Sequence, residues 1–423
     1  MPTKGLFEEF GKRGLVHDST DPSALAARLD AAPVGVYVGF DPTADSLHVG
    51  HLMGQLSLRR FQIAGHRPFP LAGGATGMVG DPSGRSDERN LLDRETLEHN
   101  VSCIKSQLEN LLDFTPGPTQ ATLVNNADWT AGITALDFLR DVGKHITVNQ
   151  MMAKESVKNR LNSENGLSYT EFSYMLLQAN DFRHLCATHD VEMQMGGSDQ
   201  WGNITAGIDL IRRTLSRPAF GATWPLVTKS DGTKFGKTAD GAVWLSAERT
   251  SPYQFRQFWM QMADADVAKY LPQFSLSSLE ELSALTESHL ADPGRRSAQR
   301  YLAAEMTTLV HGARAAGDAE AAADILFGAD PSAASAAALS VVSAEVPCTR
   351  VARADLDDVF GLLARSGVVA SNSEARRTVD QKGLKVNGQT LESGETLASK
   401  GFLHQRWVLV RRGKTTYHLF DLA

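Results

Sequence analysis

Two short apolar stretches near the N-terminus flank a segment whose apolar residues recur at helical intervals. Val34–Val38 is typical of a buried strand, Leu52–Phe61 has helical spacing, and Gly65 is a plausible helix stop. Arg67–Gly73 resembles a second short strand before a glycine-rich loop. Strand, helix and strand at this spacing predict an α/β fold with a Rossmann-like, doubly wound parallel sheet, extending to about residue 230.

From Ser251 the pattern becomes helical. Ser251-Pro252 is typical of an N-cap followed by proline at the first helical position, and Ser278 with Glu281 predicts a capping box. Asp292-Pro293 predicts the start of another helix. The alanine-rich range 313–348 predicts a helical tail and a linker.

The chain from about residue 352 predicts a compact α+β unit. Two short helices precede Leu384–Val386, a turn at Asn387-Gly388, and strands around Trp407–Val410 and Tyr417–Phe420. We therefore divide the chain into an α/β domain (1–230), a helical domain with its preceding loop (231–330), a linker (331–351) and a small α+β domain (352–423).

Composition narrows the class of protein. The chain has 423 residues, of which 42% are hydrophobic and 22% charged, and only three are cysteines. The N-terminus lacks an apolar signal region, and no stretch reaches the ~18 apolar residues of a membrane span. We expect a cytoplasmic protein with reduced thiols, without a membrane span or a structural metal site.

Charge is distributed unevenly along the chain. The net charge is −7, which argues against a protein coated in nucleic acid. Residues 351–423 nevertheless carry 11 Lys+Arg against 8 Asp+Glu, a balance of +3, whereas the remainder carries −10. This pattern favours one local docking site for a polyanion, although three net charges also fit a solvated surface.

The segment Asp41–His51 has two histidines around a glycine, where a strand should be followed by a helix. The start of a helix favours phosphate, Gly50 permits close approach, and His48 and His51 can donate hydrogen bonds to phosphate oxygens. The alternative is a helix that contains histidines by chance. The placement after a strand favours a phosphate site.

A second motif places two lysines three residues apart in a glycine-bearing loop. Lys234 and Lys237 lie in Lys234-Phe235-Gly236-Lys237-Thr238. Such a loop can close over a triphosphate, although ordinary surface lysines would look the same. Together the two motifs predict a clamp for nucleotide phosphates and therefore the activation of a carboxylate by ATP.

A third pattern lies within the apolar run Phe172–Phe182. Tyr174, Gln178 and Asp181 are spaced i, i+4 and i+7, which places them on one helix face that either binds a ligand or is an amphipathic surface. Tyr37 could face the same cavity, where a phenol and a carboxylate would bind a substrate hydroxyl. Two loop sites complete the set: Asp81 for an ammonium group, and Asp199, in Gly196–Gly202, for ribose hydroxyls.

These motifs carry a resemblance to a known family. The chain resembles the bacterial tyrosyl-tRNA synthetases of class I over essentially its whole length. His48–His51 is similar to the family's HIGH motif, Lys234–Thr238 to its KMSKS motif, and the C-terminal unit to an S4-type RNA-binding domain. The other matching stretches are Tyr37–Leu47, Gly80–Gly84, Phe172–Gln178 and Gly196–Ile204.

The resemblance implies a role for each site residue. Tyr37 and Asp181 would bind the hydroxyl of the tyrosine substrate. Asp81, Tyr174 and Gln178 would bind its amino group, and Gln200 would lie near its carboxylate. The nucleotide would be bound by Gly39, Gly197 and Asp199 near adenosine, and by Asp41, Thr43, His48, Gly50 and His51 towards the phosphates. Lys234, Lys237 and Arg85 would cover the pyrophosphate.

The resemblance also implies the reaction and its partners. Tyrosine and ATP would give tyrosyl-adenylate and pyrophosphate, and the tyrosyl group would then pass to the terminal ribose of tRNA(Tyr). ATP would be a substrate carrying Mg²⁺ on its phosphates, without a metal site built by the protein. The family implies a homodimer bridged by tRNA. Candidate RNA-binding residues in the basic tail are Arg376, Arg377, Lys382 and Lys385.

Three alternatives remain open. A tryptophanyl-tRNA synthetase shares the fold and motifs, but the Tyr37/Asp181 pair suits a phenol better than an indole. A small-molecule nucleotidyltransferase would need neither the helical domain nor the basic tail. A non-catalytic RNA-binding protein would leave the phosphate clamp unexplained.

Overall fold

The computed structural model describes residues 1–83, 92–161, 166–228, 230, 235–238 and 241–422. The chain forms two compact units. The first comprises Met1–Thr250 and Trp259–Leu302, and the second Ser251–Phe258 and Ala303–Ala423. Among the described residues, no helix combines the length and the apolar character needed to cross a membrane.

The first unit is built on a five-stranded parallel sheet, as predicted. Its strands follow the order β3-β2-β1-β4-β5. The order reverses direction between β1 and β4, and in open α/β sheets such a reversal leaves a crevice at the carboxyl ends of the two strands. The strands are β1 (Gly35–Phe40), β2 (Arg67–Ala72), β3 (Val124–Asn125), β4 (Val191–Gly197) and β5 (Phe220–Trp224).

Both faces of this sheet are covered by helices, which makes it doubly wound. On one face, α3 (Val49–Ile63) packs so tightly that a Cβ at Gly54 would lie 3.1 Å from Val38. On the other face, the ring of Tyr37 lies 5.6 Å from that of Phe182 on α9 (Tyr169–His189). Since successive strand residues point to opposite faces, β1 contributes to both cores.

The remaining elements of the first unit surround this sheet. Its other helices are α1 (Leu6–Lys12), α2 (Pro22–Ala31), α4 (Arg94–Leu111), α5 (Ala127–Thr130), α6 (Ala135–Asp141), α7 (Val148–Met152), α8 (Glu155–Leu161), α10 (Trp201–Leu215), α12 (Asp264–Phe274) and α13 (Leu279–Ala291). Two short strands, β6 (Lys237–Thr238) and β7 (Gly241–Ala242), pair antiparallel. Two helices, α11 (Pro252–Met260) and α14 (Ser297–Leu326), have residues in both units.

Two sequence predictions about helix starts have different outcomes. The capping box of Ser278 and Glu281 is confirmed at the start of α13. Asp292-Pro293 instead begins a single 3₁₀ turn, and α14 starts only at Ser297, because Arg296 adopts a left-handed conformation with φ 52°. A left-handed residue cannot continue a right-handed helix, so the two elements stay separate.

The second unit contains a five-stranded sheet of order β10-β9-β11-β12-β8. Asn387 and Gly388 both have positive φ, as a two-residue hairpin turn requires, and join β9 to β10 as predicted. The range 331–351 contains a helix whose Leu339 and Val342 are buried. The elements are α15 (Ala336–Glu345), α16 (Val359–Arg365), α17 (Asn372–Asp380), β8 (Cys348–Arg350), β9 (Leu384–Val386), β10 (Gln389–Thr390), β11 (Trp407–Arg412) and β12 (Thr416–Asp421).

Candidate active site

The two histidines form the start of α3, the first helix after β1. His48 is the N-cap residue, and its Nδ1 accepts a hydrogen bond from the Gly50 N–H at 3.1 Å. His51 Nδ1 accepts from the His48 N–H at 3.1 Å, and the two rings stack with centroids 3.9 Å apart. Because each Nδ1 accepts, a neutral ring carries its proton on Nε2, which is then a hydrogen-bond donor. The predicted strand-to-helix placement is confirmed.

Gly50 is required by the position of the His48 ring. A Cβ at Gly50 would lie 2.8 Å from His48 Cε1 and 3.0 Å from Nδ1. No real Cβ tolerates the shorter of these contacts, so any larger residue would displace the ring and break the cap. The helix start and the histidine geometry therefore depend on each other.

The lysine motif is connected to this helix start through one extended segment. The Val49 N–H donates to the Val243 carbonyl at 2.9 Å, and the Val243 N–H donates to the Gly236 carbonyl at 2.9 Å. A Cβ at Gly236, where φ is 79°, would lie 3.5 Å from the Gly50 nitrogen. The backbone of Lys237 belongs to β6, whereas Lys234 and Arg85 lie outside the described residues.

Phe235 anchors the lysine motif in an aromatic cluster that the sequence analysis did not identify. Its ring centroid lies 5.2 Å from that of Tyr270, 5.3 Å from that of Phe274 and 5.9 Å from that of Trp259. Burying an aromatic ring within a loop motif restricts the backbone of that loop.

Tyr37 and Asp181 lie near each other in the interior, in line with the expectation that Tyr37 faces the same cavity. The Tyr37 hydroxyl is buried and has no hydrogen-bond partner within the described part of the chain. Asp181 accepts hydrogen bonds from Asn126 Nδ2 and Trp129 Nε1, each at 2.9 Å. Neither donor belongs to a motif that is recognisable in the sequence.

The ionisation of both groups is shifted by their surroundings. Burial raises the pKa of Asp181 to about 7, although the hydrogen bonds from Asn126 and Trp129 oppose that effect. Burial, and next the nearby charge of Asp181, raise the pKa of Tyr37 well above its ordinary value. Tyr37 therefore stays a neutral donor, and Asp181 can change its charge near neutral pH.

Asp41 links the segment before the two histidines to the hydrogen bonds around Asp181. Tyr174 Oη donates to Asp41 Oδ2 at 2.9 Å, and Thr76 Oγ1 donates to Asp41 Oδ1 at 2.9 Å. Asn126 Nδ2 lies 3.0 Å from Thr76 Oγ1 and also bonds Asp181. A continuous set of hydrogen bonds therefore runs from Tyr174 to Asp181.

A second polar network lies at the start of α10. Gln200 Nε2 donates to Asp81 Oδ2 at 2.6 Å, and Gln178 Nε2 donates to Gln200 Oε1 at 3.2 Å. Asn203 Nδ2 donates to the Oε1 atoms of Gln178 and Gln200 at 3.0 and 3.2 Å. The predicted residues Asp81, Gln178 and Gln200 are thus brought together, and Asn203 is an addition.

The residues expected near the nucleotide lie at the strand ends. Gly39 is exposed near the end of β1, and Thr43 is exposed just beyond Asp41. Gly197 ends β4, where a Cβ would lie 2.5 Å from Asp199 Oδ1. The glycine therefore leaves room for the half-buried Asp199 carboxylate.

The candidate RNA-binding residues lie in the second unit. Arg376 and Arg377 are exposed on α17, and the Arg376 guanidinium lies 5.2 Å from the ring centroid of Phe360. Lys382 follows the helix and lies 3.4 Å from Glu392, whereas Lys385 is half-buried on β9. These four residues thus occupy one helix and the strand after it.

Comparison with known proteins identifies the family. The family model for class I tRNA synthetases (W and Y) matches residues 29–328, and the model for the tyrosine–tRNA ligase SYY-like C-terminal domain matches residues 339–420. The chain belongs to the class I tRNA synthetases of this tryptophan and tyrosine group. It is therefore an aminoacyl-tRNA synthetase, and ATP is its substrate.

Two relatives match almost the full length of the chain. It is 50% identical to a tyrosine–tRNA ligase of Opitutus terrae, over 99% of this chain and 100% of that protein. It is 47% identical to a tyrosine–tRNA ligase of Geobacillus stearothermophilus, over 99% and 100%. A C-terminally truncated mitochondrial tyrosyl-tRNA synthetase of Aspergillus nidulans has a similar structure, with TM-score 0.70 and 31% identity, over 77% of this chain and 95% of that one.

Proposed function

We propose that this enzyme is a tyrosine–tRNA ligase in which Tyr37 and Asp181 recognise the tyrosine hydroxyl. The observation that supports this most is the pair itself, a buried donor without a partner beside a buried carboxylate. A phenol oxygen can accept from the donor while its proton binds the acceptor. Phenylalanine would leave the Tyr37 donor unsatisfied and would give Asp181 no additional hydrogen bond, which is unfavourable in a buried pocket.

The polar network of Asp81, Gln178 and Gln200 would bind the head group of tyrosine. An ammonium group can replace the present amide contacts to Asp81, while Gln200 would turn towards the carboxylate. Tyr174 would add a contact to the amino group and keep Asp41 in place. Gly39, Gly197 and Asp199 would hold the adenosine, and Thr43 and Asp41 would face the nucleotide.

Catalysis would depend on positioning and on charge stabilisation. The tyrosine carboxylate attacks the α-phosphate in line, and pyrophosphate leaves. His48 and His51 would donate from Nε2 as negative charge develops, and the N–H groups at the start of α3, including that of Gly50, would add to this. Lys234, Lys237 and Arg85 would neutralise the pyrophosphate.

We propose that Mg²⁺ enters on the phosphates of ATP. Mg²⁺ commonly keeps several waters and is held by phosphate oxygens and few carboxylates. Among the described residues, no group of three or more His, Cys, Asp and Glu side chains is arranged to hold a metal ion.

Transfer to tRNA would use the second unit. The exposed arginines of α17, with Lys382 and Lys385, would contact the RNA backbone. We also propose a functional division of the chain into four parts. These are a catalytic domain (1–230), a lysine loop with an anticodon-binding helical domain (231–330), a linker (331–351) and an S4-like domain (352–423). A cytoplasmic location is proposed with it, since charged tRNA is consumed in protein biosynthesis.

We further propose a homodimer formed through residues 133–161 and 166–169. Leu136 is 79% exposed and Tyr169 71%, and five more large apolar side chains are exposed among the residues described in these two ranges. Several large apolar side chains exposed in one segment of the chain are typical of an interaction surface. Sedimentation should give a dimer for the native chain and a monomer for Leu136→Asp. If the native chain and the Leu136→Asp variant have the same mass, with both dimeric or both monomeric, this assignment is wrong.

ATP–pyrophosphate exchange with each of the twenty amino acids, without tRNA, tests the proposed activity. Tyrosine alone should support exchange. Exchange with tryptophan would keep the family and overturn the pocket assignment, and failure with every amino acid would overturn the proposed roles of the phosphate clamp.

A further inference from the structure

Gln194 lies within β4, and neither the motifs nor the reaction steps account for it. Its side chain is 2% exposed, and its Oε1 has no hydrogen-bond partner among the residues that the structure describes. A buried carbonyl that lacks a donor is unfavourable unless a ligand or an ordered water supplies one. The position therefore indicates a donor that arrives from outside the chain.

The strand register places Gln194 directly beside Tyr37. The two residues are aligned on neighbouring parallel strands, which lie about 4.8 Å apart, and aligned side chains point to the same face. That face packs against α9 and α10, because Tyr37 contacts Phe182 and a Cβ at Gly221, aligned with Gln194 on β5, would lie 2.4 Å from Ile204.

The same face continues towards the other end of the amino acid pocket. Gly196 follows Gln194 by two residues, and a Cβ at Gly196 would lie 2.9 Å from Gln200 Cβ. Gln200 in turn bonds Asp81. Gln194 thus lies on the floor of the pocket, between the phenol-binding end at Tyr37 and the head-group end at Gln200.

The unsatisfied atoms of the two neighbours are complementary. Tyr37 has a hydroxyl proton without an acceptor, and Gln194 has an oxygen without a donor. A phenol hydroxyl both accepts and donates, so it can accept from Tyr37 and share its single proton between Gln194 Oε1 and the Asp181 carboxylate.

We propose that Gln194 is a third specificity-determining residue for the substrate hydroxyl. Its Oε1 and the Asp181 carboxylate are the two acceptors available to the phenol proton, opposite the Tyr37 donor. This inference rests on the tyrosine site proposed above.

Gln194→Leu removes the acceptor with little change in size. ATP–pyrophosphate exchange should show kcat/KM for tyrosine reduced about 10- to 100-fold, with kcat/KM for phenylalanine unchanged or increased. Gln194→Met is made in parallel in case the branched leucine prevents folding, which thermal unfolding monitors. Equal losses for both amino acids, or an unchanged ratio, would overturn the proposal.

Gln55→Met provides the matched control. Gln55 is another fully buried glutamine whose carboxamide has no partner among the described residues, but it lies on α3, against the opposite face of the sheet. Its replacement should leave the tyrosine-to-phenylalanine ratio unchanged. The native chain distinguishes failure of the proposed function from failure of the proposed role of Gln194. If the native chain shows no tyrosine-dependent exchange, the proposed function is contradicted. If only the Gln194 variants behave differently from expectation, the role of Gln194 is contradicted.

Discussion

The two ends of the candidate site are built differently. At the tyrosine end, Tyr37, Asp181 and Gln194 are buried and lie on a strand or a long helix. At the phosphate end, His48 and His51 are half-buried at a helix start, next to a two-residue hairpin strand. Discrimination by hydrogen bonds requires desolvated groups that are held in advance, whereas phosphate binding requires donors that an incoming charge can reach.

Asp41 shows that the two ends are nevertheless joined. It lies in the segment that leads to the histidines, yet it accepts hydrogen bonds from Tyr174 and Thr76 of the amino acid pocket. Binding of tyrosine in the pocket would change the hydrogen-bond partners of Tyr174 and would thereby change the hydrogen bonding of Asp41. The two ends therefore differ in how deeply their residues are buried, but they are not independent of each other.

The largest effect is expected for Asp181→Ala at the tyrosine end. The change removes the acceptor of Asn126 and Trp129 and the carboxylate proposed to bind the phenol, so kcat/KM for tyrosine should fall about 10²- to 10³-fold and selectivity over phenylalanine should be lost. ATP–pyrophosphate exchange with both amino acids measures this. Retention of the native ratio would show that the hydroxyl is recognised elsewhere.

Lys237→Ala should produce a comparable loss of activity, but through the rate of adenylate formation and without a loss of selectivity for tyrosine. Removing a cation that stabilises the leaving pyrophosphate should slow adenylate formation about 10²-fold and leave tyrosine affinity unchanged. Single-turnover kinetics and equilibrium binding separate the two quantities. Lys12→Ala, which removes an exposed lysine paired with Glu8, is the control. Equal losses of rate and affinity would assign the loop a different role.

A smaller effect is expected for Gly50→Ala, which tests the phosphate end without removing a charge. The new methyl group would displace the His48 ring from its cap, and we expect adenylate formation to slow about 10-fold at unchanged tyrosine affinity. Gly11→Ala, in a helix where a Cβ meets nothing within 4 Å, is the control. An unchanged rate would mean that the ring position is unimportant.

The sequence predicted much of the framework because local patterns carry it. The strand-to-helix placement of His48, the helical face of Tyr174 and Asp181, and the turn at Asn387-Gly388 all follow from spacing over a few residues. The resemblance added expected roles to those positions. The structure brings Asp81, Gln178 and Gln200 together and places Tyr37 near Asp181, and their roles stay a proposal.

What the sequence could not predict depends on contacts between distant segments. Asn126 and Trp129 follow a two-residue strand that gives no periodic signal, yet both bond Asp181 more than 50 residues away. Gln194 lies within an apolar strand and becomes informative only when the register places it beside Tyr37. Phe235 likewise can be recognised as part of an aromatic cluster only when the structure shows which rings surround it. Such positions are defined by the tertiary fold rather than by any local pattern.

The smallest expected effect is a pH dependence confined to the tyrosine end. Because the pKa of Asp181 is raised to about 7, its carboxylate becomes protonated as the pH falls through neutrality. A protonated carboxyl accepts the phenol proton less well, so KM for tyrosine should rise about 5- to 10-fold between pH 7.5 and pH 6. Tyr37→Phe removes the opposite donor and should keep this dependence, whereas Asp181→Ala should abolish it.

Stability should change in the opposite direction. Because burial raises the folded-state pKa of Asp181 above its unfolded value, the folded protein binds the additional proton between about pH 4 and pH 7. The contribution of this group to the free energy of unfolding is therefore present below the unfolded pKa and lost as the pH rises through about 7. Affinity for tyrosine and this part of the stability should thus change in opposite senses with pH. A flat KM profile would mean that the hydrogen bonds from Asn126 and Trp129 outweigh burial and keep the carboxylate ionised throughout.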